Sequence, residues 1–299
     1  MRTVAPGECV AARCFVGFRG DLMMHDLPSW VERWCRAFLG AGPVEVLFVV
    51  GYVSEVVGVR LADGREVVVK RRADESGRTR HCVRGQRLLA EQGFPCPMPL
   101  TDVIFGSGFA VHAERLVGGG EVETEDTPAA AEKSAVLLAD LVRRLAALDL
   151  DPPLPNPESV RWDSLPERQA TAEVPAWIED TGRRVRAKLA GCRLPPVLGH
   201  ADWEAQNIRW LRGEPLAVHD WDSLAWLPEA ALAGAAAGVF ASHGNPTLAP
   251  LESSAAFLDA YERARGEPFS PYEQEIAWAA SLLVDQASDH AAIYADINL

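Results

Sequence analysis

Apolar residues recur along this chain at two spacings, and the change from one to the other marks out its elements. Leu27, Trp30, Val31, Trp34, Phe38 and Leu39 fall at helical intervals, with Asp26 placed to cap and Pro28 near the first turn. Gly40-Ala41-Gly42-Pro43 stops that helix. Three strands follow, Val44 to Val50, Val56 to Leu61 and Glu66 to Lys70. They are separated by a break at Gly51-Tyr52-Val53-Ser54 and a tight turn at Ala62-Asp63-Gly64-Arg65. A helix is predicted over Thr79 to Gln92, ending before Gly93-Phe94-Pro95, and a further strand over Phe109 to Leu116. The first 24 residues mix Gly, Arg and apolar positions without a usable period.

Beyond Gly118-Gly119-Gly120 the period becomes helical. Thr127 and Pro128 open a helix whose stripe of Val136, Leu137, Leu141, Val142, Leu145 and Leu148 runs to about Leu150. Asp151 to Asn156 reads as a Pro-rich loop. Helices are expected over Pro175 to Ala190, Pro228 to Ser242, Leu251 to Arg265 and Tyr272 to Ala292. Amid these helices lie two short apolar runs, Ile208 to Leu211 and Leu216 to Val218, around a turn at Arg212-Gly213-Glu214-Pro215. That pattern is a hairpin.

The hairpin draws attention to chemistry. Asp202 and Asn207 precede its first strand and Asp220 follows its second, so the turn would bring an Asp, an Asn and a second Asp together. Mg²⁺ takes hard oxygen ligands, usually one or two carboxylates with substrate phosphates. Asn207 and Asp220 suit that need, and Asp202 is left to accept a proton from a substrate hydroxyl, as in kinase-type phosphoryl transfer. Asp and Asn are also common in turns, where their side chains bond nearby backbone; it is the three together that argue for a site. Asp222 adds a carboxylate two residues on, and an extended segment would put it on the same face as Asp220. There it would join the metal, bind substrate, or simply be surface.

The stretch His200-Ala201-Asp202-Trp203-Glu204-Ala205-Gln206-Asn207, then a strand ending His219-Asp220-Trp221, resembles the catalytic segment of the aminoglycoside phosphotransferase family. These are small-molecule kinases carrying His-Gly-Asp-x-x-x-x-Asn and then Ile-Asp-Trp or Ile-Asp-Phe. Here Ala201 replaces the Gly and His219 the Ile. The resemblance implies an α+β, bilobal protein-kinase-like fold: a small, mostly β N-lobe (1–115) and a larger helical C-lobe (116–299). It implies Asp202 as catalytic base, Asn207 and Asp220 as Mg²⁺ ligands, and His200 as structural support for the loop. Lys70, closing Val67-Val68-Val69, resembles the lysine that contacts the α- and β-phosphates of ATP or GTP. Gly51 and Ser54 match the phosphate-covering turn loosely, and backbone groups from Glu114 to Leu116 would meet the nucleobase edge where the lobes join.

Two departures from the family stand out. The lysine's partner is a Glu in the following helix, yet no acid lies between Cys82 and Gln86, where register would place it. The Gly-Asp-Pro-x-x-Asp segment beyond the metal Asp is replaced by Ser223 to Ala230, with Glu229 as a substitute brace or a substrate contact. These departures sustain a second reading, a catalytically silent nucleotide- or metabolite-binding protein of kinase shape.

Composition narrows the field further. The chain has 299 residues and a net charge of −13, which disfavours a nucleic-acid surface and suits a small, cationic substrate. Glu121, Glu123, Glu125 and Asp126 fit that idea and serve equally as solvated surface. Six scattered cysteines without a Cys-x-x-Cys pair argue against zinc and for reduced thiols in the cytoplasm. No apolar run is long enough for a membrane helix, and Met1 to Arg19 lacks the apolar core of a signal peptide. The sequence is silent on oligomeric state.

Overall fold

The structure is a computed structural model, and it describes residues 24, 27–51, 54–150, 154–157, 176–243 and 248–282. The chain divides into two compact units, 1–120 with 216–222, and 121–215 with 223–299. The first unit thus extends to Gly120 and takes back a short segment from far along the chain.

In the first unit, α1 (Ser29–Phe38) is followed by β1 (Pro43–Gly51), β2 (Ser54–Leu61) and β3 (Glu66–Ala73). Then come α2 (Arg78–Glu91), β4 (Ile104–Gly106) and β5 (Phe109–Arg115). The strands form one antiparallel sheet in the order β1-β2-β3-β5-β4. Side chains alternate across a strand, and the two faces are put to different uses. Val57, Val59, Val67, Val69, Val111 and Ala113 pack with Val31, Trp34, Cys35 and Leu39 of the α1 region into a dry core. The opposite face of β3 and β5 carries Lys70, His112 and Glu114 beside α2.

Helix α1 starts after Pro28 without a side-chain cap. Asp26, expected as its cap, lies outside the described residues, as does most of the unassigned N-terminal stretch. Helix α2 also lacks a cap at Gly77. Its free amides go instead to Asp74, whose carboxylate accepts from the N–H groups of Ser76, Gly77, Arg78 and Thr79 at 3.1, 2.9, 3.3 and 2.7 Å.

The second unit is built on helices α3 (Pro128–Ala146), α4 (Ala176–Ala190), α5 (Glu229–Val239), α6 (Leu251–Arg265) and α7 (Pro271–Ser281). Thr127 caps α3 as its sequence predicts, while the stretch expected to extend α7 beyond 282 lies outside the described residues. Packing of α5 on α7 depends on two glycines. A Cβ at Gly234 would sit 2.0 Å from the Ala277 carbonyl oxygen, and one at Gly238 would sit 2.3 Å from that of Ser281. Backbone therefore touches backbone.

Among the helices run β6 (Pro196–His200) paired with β9 (Leu224–Pro228), and a hairpin of β7 (Ile208–Leu211) and β8 (Glu214–Val218). The hairpin turn is shorter than the sequence suggests. Arg212 and Gly213, at φ 54° and 84°, make a two-residue turn of the primed kind, and Glu214 and Pro215 already belong to β8. No helix among the described residues is long and apolar enough to cross a membrane.

Candidate active site

The residues singled out by the sequence fall into a group in each unit. In the second unit the loop after β6 holds Asp202. Gly199 permits the approach of α5 there, since a Cβ would lie 2.3 Å from a Leu232 methyl. The next residue, His200, is 1% exposed, and its Nδ1 accepts the backbone N–H of Asp202 at 3.3 Å. Its ring meets Trp203 edge to face, and the Trp203 indole N–H donates to Ser134 Oγ of α3 at 3.0 Å. The loop is thus tied through His200 and Trp203, the latter reaching α3 at Ser134.

Asn207 completes the arrangement. Its amide nitrogen donates to the Asp202 carbonyl oxygen at 2.9 Å and to Asp202 Oδ2 at 2.8 Å. Both amide hydrogens are spent on Asp202, and Oδ1 is left as a hard oxygen donor of the kind a divalent cation prefers. Ala201 stands where the family has Gly, yet its backbone avoids positive φ, so the methyl group brings no strain.

In the first unit the segment 216–222 carries Asp220. Three described residues other than glycine have positive φ, and Ser107 and Arg212 each precede a Gly in a hairpin turn. Asp220, at φ 60°, is the third and sits in no hairpin. Backbone strain of this kind persists where surrounding contacts enforce it. Here Trp221 supplies them: its indole N–H donates to the Val218 carbonyl oxygen at 2.8 Å, and its ring meets Phe94 edge to face. The Val218 N–H donates in turn to Pro95 O at 2.8 Å.

The left-handed residue also corrects an expectation. Asp220 and Asp222 do not share the face of an extended segment, because the chain turns at Asp220 and enters a 3₁₀ turn at Trp221–Ser223. The Asp222 carboxylate pairs with Arg72, and its carbonyl oxygen accepts from Arg78, a buried guanidinium at the start of α2. Burial pulls Arg78 below the usual guanidinium range, against the attraction of Asp74 and Asp220. Neither Arg72 nor Arg78 was singled out by the sequence, which shows only a basic run and a helix start.

Lys70 has a partner after all. Its ammonium lies 2.8 Å from Glu114 Oε1 on β5. Glu114 is 2% exposed, and its Oε2 accepts from Gln86 Nε2 of α2 at 2.9 Å. Burial alone would push the Glu114 carboxyl up; Lys70, His112 and the hydrogen bonds from Lys70 and Gln86 outweigh it and hold the group below the usual range. His112, paired with Lys70 across the two strands, is buried, and its Nδ1 has no hydrogen-bond partner among the described residues. Burial and the neighbouring Lys70 press its imidazole down to about 4.

The other candidates fare differently. Backbone groups at the end of β5 are not open as expected. The Arg115 N–H donates to Met98 O at 2.8 Å, where chain at 98–100 runs along the strand, and the Leu116 N–H donates to Glu66 O of β3 at 3.1 Å. Gly51 ends β1 and Ser54 begins β2; between them Tyr52 and Val53 lie outside the described residues. A Cβ at Gly51 would meet nothing within 4 Å, so packing does not demand glycine there. Glu229 does not brace the catalytic loop. It accepts from Tyr261 Oη at 3.0 Å and pairs with Arg265 at 3.3 Å, joining α5 to α6. Among the described residues, no group of three His, Cys, Asp or Glu is arranged to hold a metal ion; the Asn207 amide oxygen is a donor of another type.

A sequence model of the phosphotransferase enzyme family matches residues 47–279. The chain belongs to this family. A comparison with curated protein sequences finds no match. Among solved structures, similarity extends to an amicoumacin kinase in complex with AMP-PNP and Ca²⁺, at 14% identity and TM-score 0.62, covering 89% of this chain and 91% of that one. A macrolide 2′-phosphotransferase from Brachybacterium faecium is similar at 17% identity and TM-score 0.56, covering 85% and 88%. A thermostable mutant of an aminoglycoside phosphotransferase, in ternary complex with AMP-PNP and hygromycin B, is similar at 17% and 0.55, covering 89% and 95%. The fold of this phosphotransferase is therefore the bilobal, kinase-like α+β fold that its catalytic segment suggested.

Proposed function

We propose that this family member is a small-molecule kinase that transfers the γ-phosphoryl group of ATP or GTP to a hydroxyl of a small substrate. The observation carrying this reading is the Asp202–Asn207 loop, in which the Asn207 amide orients the Asp202 carboxylate and Asn207 presents its own amide oxygen. Asp202 would accept a hydrogen bond from the acceptor hydroxyl, orient it, and take its proton as the oxygen attacks. Asn207 through Oδ1 and Asp220 through its carboxylate would hold the divalent metal, and Lys70 would meet the α- and β-phosphate oxygens. When bound, Mg-ATP supplies the phosphoryl group, with charge neutralisation by the metal. The chain's own residues position, hold and neutralise, which is most of what such a reaction requires.

The ligands named for similar structures, AMP-PNP with Ca²⁺ and AMP-PNP with hygromycin B, support a nucleotide, a divalent metal and a small-molecule acceptor. The net charge of −13 favours a cationic acceptor by steering. The test is ADP release with Mg-ATP over a panel of aminoglycosides, macrolides, amino sugars and amino alcohols. Wild-type protein should turn over at least one of them. Asp202→Asn should lose a factor of about 10²–10⁴ in kcat with nucleotide affinity little changed. Nucleotide binding without transfer to any acceptor would favour the silent, binding-only reading instead.

A further inference from the structure

We propose that Glu114, clamped by Gln86, is the positioning residue for Lys70, so that β5 supplies the anchor that the family draws from the helix after β3. The inference rests on the nucleotide-binding reading of Lys70. Both carboxylate oxygens are engaged, Oε1 by the Lys70 ammonium at 2.8 Å and Oε2 by the Gln86 amide at 2.9 Å. Gln86 is itself 1% exposed and fixed, its Nε2 donating also to Pro97 O at 2.7 Å. The carboxylate thus cannot rotate without breaking a buried hydrogen bond, and leaving such a group unmade is costly. One ammonium hydrogen of Lys70 faces Glu114. The side chain keeps 20% of its surface open, enough for the others to meet phosphate oxygens.

The same geometry accounts for the missing helix acid. A carboxylate at position 86 would lie against Glu114, two buried negative charges sharing one lysine, and like charges at that distance disfavour ionisation of both. With Glu114 in place, the helix position must be a neutral donor, and Gln meets that demand. His112 does not compete, since a neutral imidazole leaves Lys70 as the full positive charge beside Glu114. Lys70 is consequently held by its own sheet, two strands apart in sequence but adjacent in space, and α2 contributes a clamp rather than a counter-ion.

The experiment is calorimetric titration of the full chain with Mg-ATP, alongside thermal unfolding to check folding. Lys70→Met should weaken binding, and Glu114→Gln should weaken it about tenfold or more. Gln86→Glu alone should also weaken it. A companion variant is Glu114→Gln with Gln86→Glu, which moves the carboxylate from strand to helix and keeps a carboxylate–amide hydrogen bond between the two positions, while giving up the donor to Pro97 O. It should recover part of the lost affinity, which a merely structural role for Glu114 would not predict. Glu114→Gln binding as wild type does overturns the proposal while the nucleotide reading stands. Absence of any Lys70-dependent nucleotide binding in the wild type overturns both.

Discussion

At the scale of single residues, the Lys70–Glu114 pair is the most consequential charge placement in the first unit. Removing one member of a buried pair strands the other, at about 3–5 kcal/mol. Lys70→Met should therefore lower stability in urea by that order, and adding Glu114→Gln should restore most of it. The partial exposure of Lys70 makes the lower end the better expectation. His112 gives a pH dependence whose sign follows from linkage. Its folded pKa, about 4, lies below the unfolded value of 6.5, so the unfolded chain binds the proton first. Stability is full above 6.5 and falls as pH drops toward 4, with a slope near 1.4 kcal/mol per unit at most. Glu114, also depressed, adds a loss at still lower pH, below its ordinary value of 4.5. Unfolding midpoints between pH 7 and 4 should decline in the wild type and flatten in His112→Gln.

At the scale of elements, local chemistry and tertiary contact compete in ways that mutation can separate. Ala exceeds Gly in helix propensity by up to about 1 kcal/mol. Gly234→Ala should nevertheless destabilise, by about 1–3 kcal/mol, because its methyl would press on the Ala277 carbonyl and force α5 from α7. A stabilised Gly234→Ala protein in chemical denaturation would refute this close packing. Helix α2 tells a complementary story. Asp74→Ala removes the acceptor for four backbone amides and should cost about 0.5–2 kcal/mol. The Asp74 carboxyl, held low chiefly by its hydrogen bonds from Thr79, Ser76 and Gly77 against the cost of burial, should make that loss largest above its own titration.

At the scale of the whole molecule, ligand linkage is the measurement that tests the proposed nucleotide reading. Mg-ATP at 100 times its Kd should add about 2.7 kcal/mol to the unfolding free energy. The metal-dependent part of that gain should vanish in Asp220→Ala and in Asn207→Ala, as read by thermal shift with and without Mg²⁺. The first unit also depends on chain from far away: Asp222 engages Arg72 and Arg78, and Trp221 engages Phe94. Asp222→Ala should loosen this segment and weaken Mg²⁺-dependent binding even though its carboxylate is turned toward arginine.

The sequence by itself determined most of the order of elements and the motif from His200 to Asn207, but not the short strands β4, β6 and β9. Periodicity is a local property, and apolar spacing placed α6 at Leu251–Arg265 and β1, β2, β3 and β5 of the sheet within a few residues, but not the three-residue β4. The spacing from His200 to Asn207 is also local, so the Asp202 loop was legible as a motif before its hydrogen bonds were known. What stayed hidden were partnerships made across the sheet and between a strand and a helix. Lys70 and Glu114 are 44 positions apart, and nothing along the chain says that antiparallel pairing sets them diagonally on one face with Gln86 above them. The left-handed turn at Asp220 was likewise invisible: Asp tolerates that conformation better than most residues, but nothing local to the sequence says that it is adopted here, where Trp221 bonds back to Val218. Local spacing fixed which residues are present; register and burial decided which of them meet.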